Sequence, residues 1–362
     1  MSQLTSLALM FGGKSPEHDV SIRSARNIFQ AIDRARFSVT LIGVDRSGIW
    51  KHISEAEFLA ETLELDKVGN PLAVIPGREH DQIISLDDQK EFPQIDVVFS
   101  IIHGIFGEDG TLQGLLRQIN LPFVGPDVLG SAVAMDKDVA KRLLKEADLL
   151  VAEGLVFHRH EADAIDFVGV RNQLGMPVFI KPANMGSSVG VSRAENLDEF
   201  TQAVNLAFKY DRKILIESAI EGREVECAVM GNEVPETTTI GEVTMNIEGF
   251  YDYDSKYESD VAAQVTIPAE GIAEDLQAKL ILVAKSAYKV LECEGMARVD
   301  MFLTEEGRVF INEVNTLPGF TNISMYPKLW EHAGTSYSDL ITHLVELGIE
   351  RSQSAQSLEK NK

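Results

Sequence analysis

ARVDMFLTEEGRVFINEVNTLPG, residues 297–319, predicts two apolar strands joined by a tight turn. With the Glu-Gly step as the centre of that turn, Asp300 lies opposite Glu313 and Arg298 lies opposite Asn315. Side chains alternate between the two faces of a strand, so these four side chains share one face. That face therefore gathers two carboxylates, an amide and a guanidinium.

Near the turn, both faces of this hairpin are apolar. We expect Phe302 and Ile311 to share the face of the four polar residues. The opposite face is typical of a core and comprises Val299, Met301, Leu303, Phe310 and Val314. Oxygen ligands beside a guanidinium suit a hard cation next to a phosphate. The alternative is an exposed hairpin whose outer face is charged.

The composition is that of an acidic globular protein of two or three domains. The chain has 362 residues, of which 44% are hydrophobic and 25% charged, and its formal net charge is −23. A broad nucleic-acid surface is disfavoured, because phosphate binding needs an excess of Lys and Arg. No apolar run has the length of a membrane span. Basic residues that serve an anionic ligand must therefore be concentrated at one place.

The N-terminal stretch and the cysteines favour a cytoplasmic protein. MSQLTSLALMFGG has an apolar patch without a basic region before it, so we expect no secretory signal. The two cysteines, Cys227 and Cys293, are too few for a disulfide framework and fit a reducing compartment.

The beginning of the chain predicts a β-α-β unit with a parallel sheet. A strand over residues 5–12 precedes a helix that begins near Ser15 and a strand over Ser38–Val44. The glycines after the first strand lack the G-x-G-x-x-G spacing of a dinucleotide site. Glu17 lies near the helix start, where a ligand role competes with simple pairing to the helix dipole. Residues 46–92 show no motif that indicates a site.

A glycine-rich loop follows a buried strand at Ile95–Ile102. The loop is HGIFGEDG, residues 103–110. Ligands gather at the carboxyl ends of parallel strands, so we expect a binding loop that begins with His103. A glycine-rich turn without a ligand is the alternative.

Two lysines in the middle of the chain are candidates for phosphate binding. AVAMDKDVAKRLLKEA predicts one amphipathic helix with Lys137 near its start. MPVFIKPANMGSSVGV predicts a strand that closes with Lys181, a polar flap at Asn184–Gly190 and a second strand. Backbone amides of such a flap can fold over phosphate oxygens. The spacing is not that of a P-loop, and a plain hairpin is the alternative.

The last third of the chain gives weaker signals. The strand Lys213–Ile220 carries Glu217, and Glu224 follows it, so these two carboxylates are candidates for contacts with adenine and ribose. The loop Glu248–Asp260 is either a solvated acidic loop or a mobile lid over an active site. We also expect two helices and a frayed polar tail, at Ala273–Leu291, at Tyr337–Leu347 and from Gly348 onward.

Together these residues predict phosphoryl transfer from a nucleotide bound with a metal ion. Mg²⁺ takes oxygen ligands and is usually shared with nucleotide phosphates, and Asp300, Glu313 and Asn315 supply such oxygens. The cations that would neutralise the rest of the triphosphate are Lys137, Lys181 and Arg298. Catalysis of this kind is electrostatic and positional.

Seven short motifs follow one another along the chain: EHDVS (Glu17–Ser21), HGIFGEDG (His103–Gly110), MDK (Met135–Lys137), KPANMGSSVGV (Lys181–Val191), YDYDSKY (Tyr251–Tyr257), ARVD (Ala297–Asp300) and NEVNTLPGFT (Asn312–Thr321). Through them, over about residues 5–345, the chain resembles the D-alanine–D-alanine ligase family of the ATP-grasp superfamily. Each motif alone is weak, and the set in this order is highly specific.

The resemblance implies an ATP-grasp fold of mixed α/β and α+β type, in which two α+β domains clamp ATP. The expected divisions are an N-terminal parallel α/β substrate-binding domain at 1–127, a central ATP-grasp subdomain at 128–217, a C-terminal subdomain with the metal site and lid at 218–347, and a polar tail at 348–362. A homodimer is the expected assembly.

The resemblance also implies a mechanism in which ATP phosphorylates one D-alanine and the amine of a second D-alanine displaces the phosphate. Glu17 would hold the first ammonium group, with His103 nearby, and Ser324 would contact the second carboxylate. The Arg298 guanidinium and the Gly319 amide would stabilise the tetrahedral oxyanion.

Further roles concern the nucleotide and the lid. A hydrogen-bonded trio of Glu17, Ser187 and Tyr257 would fasten the lid. The implied ATP-binding residues are Lys137, Lys181, Ser187, Glu217, Glu224 and Lys256. The implied ligands of two Mg²⁺ ions, for which Mn²⁺ is possible, are Asp300, Glu313 and Asn315.

The implied activity is ATP-dependent synthesis of D-alanyl-D-alanine for peptidoglycan precursors, without nucleic-acid or membrane partners. Relatives that use D-lactate lack the SKY ending of the lid, so Tyr257 favours D-alanine as the second substrate. The alternatives are a D-alanine–D-lactate-type depsipeptide ligase, another ATP-grasp carboxylate–amine ligase, and a nucleotide-binding regulator on the same fold without turnover.

Overall fold

Three β-sheets occupy successive stretches of the chain in the computed structural model, which describes residues 4–87, 92–245 and 263–359. They have six, four and five strands. Within these described ranges, none of the helices combines the length and hydropathy that crossing a membrane requires.

The first sheet has the strand order β5-β4-β3-β2-β1-β6. Its strands are β1 Thr5–Gly12, β2 Phe37–Val44, β3 Trp50–Ile53, β4 Asn70–Val74, β5 Ile83–Ser85 and β6 Val97–Ser100. The helices of this part are α1 His18–Ala31, α2 Glu55–Phe58 and α3 Thr111–Gln118. β1 pairs in parallel with β2 and β6, whereas β3, β4 and β5 extend the sheet by antiparallel pairing. The predicted parallel sheet is therefore mixed, because the weakly patterned stretch after β2 adds an antiparallel edge.

The second sheet is entirely antiparallel, in the order β7-β10-β8-β9. Its strands are β7 Gly154–His158, β8 Val178–Pro182, β9 Ser192–Ala194 and β10 Lys213–Ser218. Four helices precede or cover it, α4 Val128–Met135, α5 Lys137–Glu146, α6 Phe167–Leu174 and α7 Leu197–Tyr210, together with a 3₁₀ turn at Arg159–Ala164.

The third sheet is also antiparallel, in the order β13-β12-β11-β14-β15. Its strands are β11 Arg223–Gly231, β12 Glu236–Met245, β13 Ala263–Thr266, β14 Gly295–Leu303 and β15 Val309–Asn315. The accompanying helices are α8 Glu274–Val290, α9 Met325–His332 and α10 Tyr337–Glu359.

The hairpin β14–β15 has the predicted polar register. Asp300 pairs with Glu313, and Arg298 pairs with Asn315. The turn itself is one residue out of the predicted place, because Gly307 N donates to Thr304 O at 3.0 Å.

A one-residue bulge in β15 compensates for that shift. Between the bulge and the turn, Met301 pairs with Ile311, and Phe302 pairs with Phe310. The predicted faces of Ile311 and Phe310 were therefore wrong. Ile311 packs in the core at 1% exposure, and Phe310 shares the face of Phe302 beneath the Arg308 guanidinium. Both faces are apolar near the turn, so the pattern did not reveal the extra residue.

The predicted single helix around Lys137 is two helices that meet at Asp136. The backbone of Asp136 is extended, with φ −82° and ψ 102°, so α4 ends there. Its carboxylate then accepts from Val139 N at 3.1 Å and caps α5. This break directs Lys137, the first residue of α5, toward the flap.

The predicted frayed tail is also wrong, because α10 continues to Glu359. Arg351 on this helix donates to the carbonyl oxygens of Phe123, at 2.8 Å, and Gly125. Its guanidinium also lies 4.3 Å from the centroid of the Phe123 ring. Contacts with a distant part of the chain therefore hold a segment that is polar in sequence.

Hydrophobic packing joins the first and third sheets. One cluster includes Leu9 and Phe99 of the first sheet together with Phe320, Tyr326 and Leu344 from the end of the chain. A second cluster packs α8 against the third sheet. Cys227 and Cys293 are buried and free.

Two leucines on α8 test this packing. Leu280 is 0% exposed and Leu282 is 64% exposed. We expect Leu280→Ala to lower the free energy of unfolding by about 2–5 kcal/mol, because it leaves a cavity in the core. Leu282→Ala should change it by no more than about 0.5 kcal/mol. Urea denaturation of both variants measures the difference, and equal effects would contradict the assigned face of α8.

Candidate active site

Two adjoining cavities lie between the second and third sheets and the glycine-rich loops of the first. The larger has a volume of about 530 Å³ and the smaller about 230 Å³. The residues that line both are Lys137, Gly186, Ser187 and Glu313. A ligand in one cavity would therefore meet a ligand in the other beside a lysine and a carboxylate.

The larger cavity contains a carboxylate between two lysines. Glu217 Oε1 lies 2.5 Å from Lys141 Nζ, and Glu217 Oε2 lies 2.6 Å from Lys181 Nζ. Burial alone would raise the pKa of Glu217, but the two ammonium groups lower it to about 2. Burial lowers the pKa of Lys141 to about 8 despite its pairing with Glu217. The two lysines and the ionised carboxylate together carry a net positive charge.

The predicted flap closes one side of both cavities. Its start is held by Asn184, whose backbone N and side-chain Nδ2 both donate to Asp211 Oδ2 at 2.9 Å. Ser187 and Ser188 adopt positive φ angles of 50° and 59°, which non-glycine residues seldom do. Ser187 Oγ donates to Glu17 Oε1, so the flap is tied to the start of α1. Two members of the expected trio are therefore in contact.

The polar end of the hairpin carries a partly buried ion-pair network. Arg298 Nε donates to Asp300 Oδ1 at 2.7 Å, and its Nη2 donates to Asp300 Oδ2 at 2.6 Å. Arg298 Nε also lies 3.0 Å from Glu226 Oε2, on the neighbouring strand β11. Burial opposes the charge of Arg298, but Asp300 and Glu226 hold its pKa well above the usual range. The guanidinium is therefore a fixed cation beside the smaller cavity.

Lys137 links the flap to the hairpin. Its Nζ donates to Met185 O at 2.7 Å and lies 3.5 Å from Glu313 Oε2. Glu313 is the partner of Asp300 across the hairpin. The junction of the cavities is thus bounded by a flap carbonyl, an ammonium group and a carboxylate.

His103 lies beneath the smaller cavity and is paired with an acid. Its Nδ1 lies 3.1 Å from Leu317 O, which can only accept, and 3.4 Å from Glu108 Oε1. Burial lowers the pKa of His103, but pairing with Glu108 and the nearby Glu17 carboxylate give it a net increase. Burial also raises the pKa of Glu108, to about 6, against the opposing effect of His103.

The far side of the smaller cavity is the turn after β15. Thr321 N donates to Ser324 Oγ at 2.9 Å, and a side chain at Gly319 would come within 2.8 Å of that oxygen. Asn315 Oδ1 accepts from Leu317 N at 3.1 Å. Glycine at 319 therefore leaves its own backbone accessible beside Ser324.

The hairpin offers an all-oxygen donor set to a metal ion. Asp300 and Glu313 lie on opposite strands at one register position, and Asn315 follows two residues later on the same face. Within the described ranges, no group of three or more His, Cys, Asp or Glu side chains forms a metal cluster. Two carboxylates and an amide nevertheless fit Mg²⁺, which completes its octahedral shell with phosphate oxygens and water.

The structure brings most of the expected residues to these cavities. The larger is lined by Lys137, Lys181, Ser187, Glu217, Glu224 and Glu313. The smaller is lined by Glu17, His103, Lys137, Ser187, Arg298, Glu313, Asn315, Gly319 and Ser324. Tyr257 and Lys256 lie outside the described residues, so their roles stay predictions.

Four charged residues at these cavities had no predicted role: Glu108, Lys141, Arg193 and Glu226. Lys141 is one helical turn from Lys137 on the same face of α5, so its position was readable from spacing. Glu226 pairs with Asp300 across β11 and β14, a contact between distant parts of the sequence. Glu108 belonged to a recognised motif, but only the folded loop brings it to His103.

Comparison with known proteins covers most of the chain. Residues 6–126 match the family described as the D-ala D-ala ligase N-terminus, and residues 143–346 match the D-ala D-ala ligase C-terminus. This chain belongs to the D-alanine–D-alanine ligase family.

Similar proteins from several bacteria have nearly the same length. A D-alanine–D-alanine ligase from Shouchella clausii is 55% identical over 361 residues, which covers 98% of this chain and 97% of the relative. A D-alanine–D-alanine ligase A from Salmonella typhimurium is 50% identical over 351 residues, covering 95% and 96%.

Solved structures of the family share the fold. A D-alanine–D-alanine ligase from Coxiella burnetii superimposes with a TM-score of 0.85 at 36% identity, covering 98% of both chains. The VanG D-Ala:D-Ser ligase from Enterococcus faecalis gives a TM-score of 0.85 at 35% identity, covering 96% of this chain and 100% of the other. The chain is an enzyme of the mixed α/β ATP-grasp fold.

Arg298 and Arg308 lie at opposite ends of the same hairpin and form a matched pair of variants. We expect Arg298→Ala to lower the ligation rate by about 10²–10³, because the family resemblance assigns this guanidinium to the developing oxyanion. Arg308→Ala should leave the rate unchanged, since Arg308 is exposed near the turn. Steady-state kinetics measure both, and a loss below about tenfold for Arg298→Ala would make that residue structural.

Proposed function

We propose that this enzyme joins two D-alanine molecules to D-alanyl-D-alanine through an acyl phosphate, with ATP in the larger cavity and the amino acids in the smaller. The contact between the cavities at Lys137, Ser187 and Glu313 carries this proposal. It allows the terminal phosphate of a nucleotide to meet the carboxylate of an amino acid away from bulk water.

The nucleotide contacts follow from the lining of the larger cavity. Lys137 and Lys181 pair with the phosphates, and the flap amides around Ser187 cover them. Glu217 and Glu224 lie on the same cavity and contact the adenosine. Lys256 joins from the lid.

Two Mg²⁺ ions, replaceable by Mn²⁺, would be held by Asp300, Glu313 and Asn315. When bound, such ions neutralise charge on the phosphates and orient the terminal phosphoryl group. Arg298 now holds both oxygens of Asp300, so metal binding would require Asp300 to share or exchange that contact. Glu226 remains as a partner for the guanidinium.

The smaller cavity has an anion at one end and donors at the other. Glu17 binds the ammonium group of the first D-alanine, with His103 beside it, and Ser324 binds the carboxylate of the second. Arg298 and the Gly319 amide face the carboxyl carbon between them. Tyr257 completes the trio with Glu17 and Ser187 and so fastens the lid.

Ligation proceeds in two steps, formation of an acyl phosphate and its displacement by an amine. A carboxylate oxygen of the first D-alanine attacks the γ-phosphorus of ATP, and ADP leaves. The uncharged amine of the second D-alanine attacks the acyl carbon and forms a tetrahedral oxyanion, which Arg298 and the Gly319 amide stabilise. The oxyanion collapses, the amide bond forms and phosphate leaves with the original carboxylate oxygen. The amine loses a proton to complete the product.

The product class and the buried free thiols favour a cytoplasmic enzyme that supplies peptidoglycan precursors. We also propose a homodimer, which sedimentation of the full chain would establish.

The activity is tested by mixing the chain with ATP, Mg²⁺ and D-alanine. We expect one ADP and one phosphate released for each D-alanyl-D-alanine formed. D-serine and D-lactate as second substrates form the comparison arms. Use of D-alanine should increase relative to D-lactate as the pH rises, because the attacking amine must be unprotonated. ADP release with another acceptor but none with D-alanine would overturn the substrate assignment and leave the fold intact.

The metal role is tested with Glu313→Gln. We expect this variant to need at least about tenfold more Mg²⁺ for half-maximal turnover, because the amide is a weaker ligand than the carboxylate. Glu305→Gln, in the exposed turn of the same hairpin, is the control. Both variants should unfold at the wild-type urea concentration. A normal Mg²⁺ requirement for Glu313→Gln would exclude it as a ligand.

A further inference from the structure

We propose that Lys141 is a positioning residue of the nucleotide site: it holds the Glu217 carboxylate, so that Lys181 is free to pair with a nucleotide phosphate. The inference rests on the proposed function, since it takes the larger cavity to be the ATP site. It gives a role to a lysine outside the predicted phosphate-binding pair.

The geometry places one carboxylate between two competing cations. Glu217 uses Oε1 for Lys141 and Oε2 for Lys181, at 2.5 and 2.6 Å. The side chains of Glu217, Lys141 and Lys181 are only 4%, 9% and 11% exposed. Screening by water is therefore weak, and removal of either cation changes the charge that the other must balance.

The charge of this cluster calls for an anion. Two ammonium groups face one carboxylate, which leaves one positive charge in a largely buried cavity. An uncompensated buried charge is unfavourable. A phosphate group of a bound nucleotide supplies the missing negative charge without disturbing Glu217.

The surroundings indicate which lysine changes partner. Lys181 lies near the end of β8, directly before the flap that borders the junction of the two cavities. Lys141 lies within α5 between Ala140 and Leu144, which are buried in the core. Lys181 is therefore the lysine close to the phosphates, and Lys141 remains with Glu217.

The transfer of Lys181 from Glu217 to a phosphate depends on Lys141. With Lys141 in place, departure of Lys181 leaves a neutral Lys141–Glu217 pair. Without Lys141, a phosphate must draw Lys181 away from a buried carboxylate that then has no cation beside it. Loss of Lys141 should thus weaken nucleotide binding while the ligand-free protein keeps its Lys181–Glu217 pair.

The pKa of Lys141 is consistent with the transfer of Lys181 from Glu217 to a phosphate. Burial and the charges of Lys181 and Lys137 lower the pKa of Lys141, and Glu217 opposes that decrease. Movement of Lys181 toward a phosphate removes one of the repulsive charges. The Lys141–Glu217 pair is therefore stronger when the nucleotide is bound.

Binding of ATP and of adenosine, measured by calorimetry with Mg²⁺ and without D-alanine, tests the proposal. We expect Lys141→Met to raise the Kd for ATP at least about tenfold. The Kd for adenosine, which has no phosphate, should stay within about threefold. Lys141→Arg keeps the charge and should restore most ATP affinity. Lys145→Met, one turn further along α5 and paired with the exposed Glu153, is the matched control.

A double-mutant cycle separates positioning from direct phosphate binding. In a Glu217→Gln background, no carboxylate holds Lys181, so adding Lys141→Met should change the Kd for ATP by less than about threefold. Equal losses in both backgrounds would show that Lys141 contacts phosphate itself. Equal losses for ATP and adenosine would show a general structural role. Either result, or no loss of ATP affinity in Lys141→Met, overturns the proposal.

A second variant and the wild-type chain complete the test. Lys141→Gln replaces Lys141→Met if the latter does not fold, since its amide supplies a hydrogen bond without a charge, and the same loss of ATP affinity is expected. The wild-type chain reports separately on the proposed function. If it binds no ATP and ligates no D-alanine, the proposed function fails. If the enzyme is active but Lys141→Met raises the Kd for ATP equally in the wild-type and Glu217→Gln backgrounds, only the role of Lys141 is rejected.

Discussion

The antiparallel register of the hairpin β14–β15 is the constraint on which the active site depends. It places Asp300 opposite Glu313 and Arg298 opposite Asn315. A slip of one residue would turn one strand's polar side chains into the core, so the packing of Val299 and its apolar neighbours also fixes the chemistry. The turn and the bulge each deviate by one residue, and their effects cancel at the polar end.

Within the part of the chain that the structure describes, each lysine or arginine that lines the two cavities lies beside a carboxylate. Arg298 has Asp300 and Glu226, Lys181 has Glu217, and Lys137 lies near Glu313. Substrate and metal binding would therefore exchange ion pairs, and the two lysines on Glu217 add one positive charge for a phosphate to balance. This explains how a chain with a net charge of −23 can hold a triphosphate. Glu226 beside Arg298 and Lys141 beside Glu217 keep the charge of these two groups compensated during the exchange.

Strand alternation and turn residues were sufficient for many single elements and for the polar hairpin, whereas the ATP-grasp fold was predicted from the set of seven motifs. These local patterns failed where distant contacts decide. Arg351 of α10 donates to carbonyl groups more than 200 residues away, and Glu226 pairs with Asp300 across two strands that are distant in sequence. The break at Asp136 could have been predicted from the sequence, since an aspartate three residues before a helix amide is a common N-cap. The bulge in β15 could not have been predicted, because both faces are apolar there and the alternation of side chains does not reveal an extra residue.

The most direct test of the proposed mechanism is the fate of the carboxylate oxygen of the first D-alanine, because an acyl phosphate transfers that oxygen to the released phosphate. D-Alanine labelled with ¹⁸O in its carboxylate is supplied with unlabelled ATP and Mg²⁺, and the released phosphate is examined by ³¹P NMR. We expect one ¹⁸O atom in each phosphate for every dipeptide formed. Phosphate without the label, released alongside dipeptide, would contradict an acyl phosphate at the junction of the two cavities.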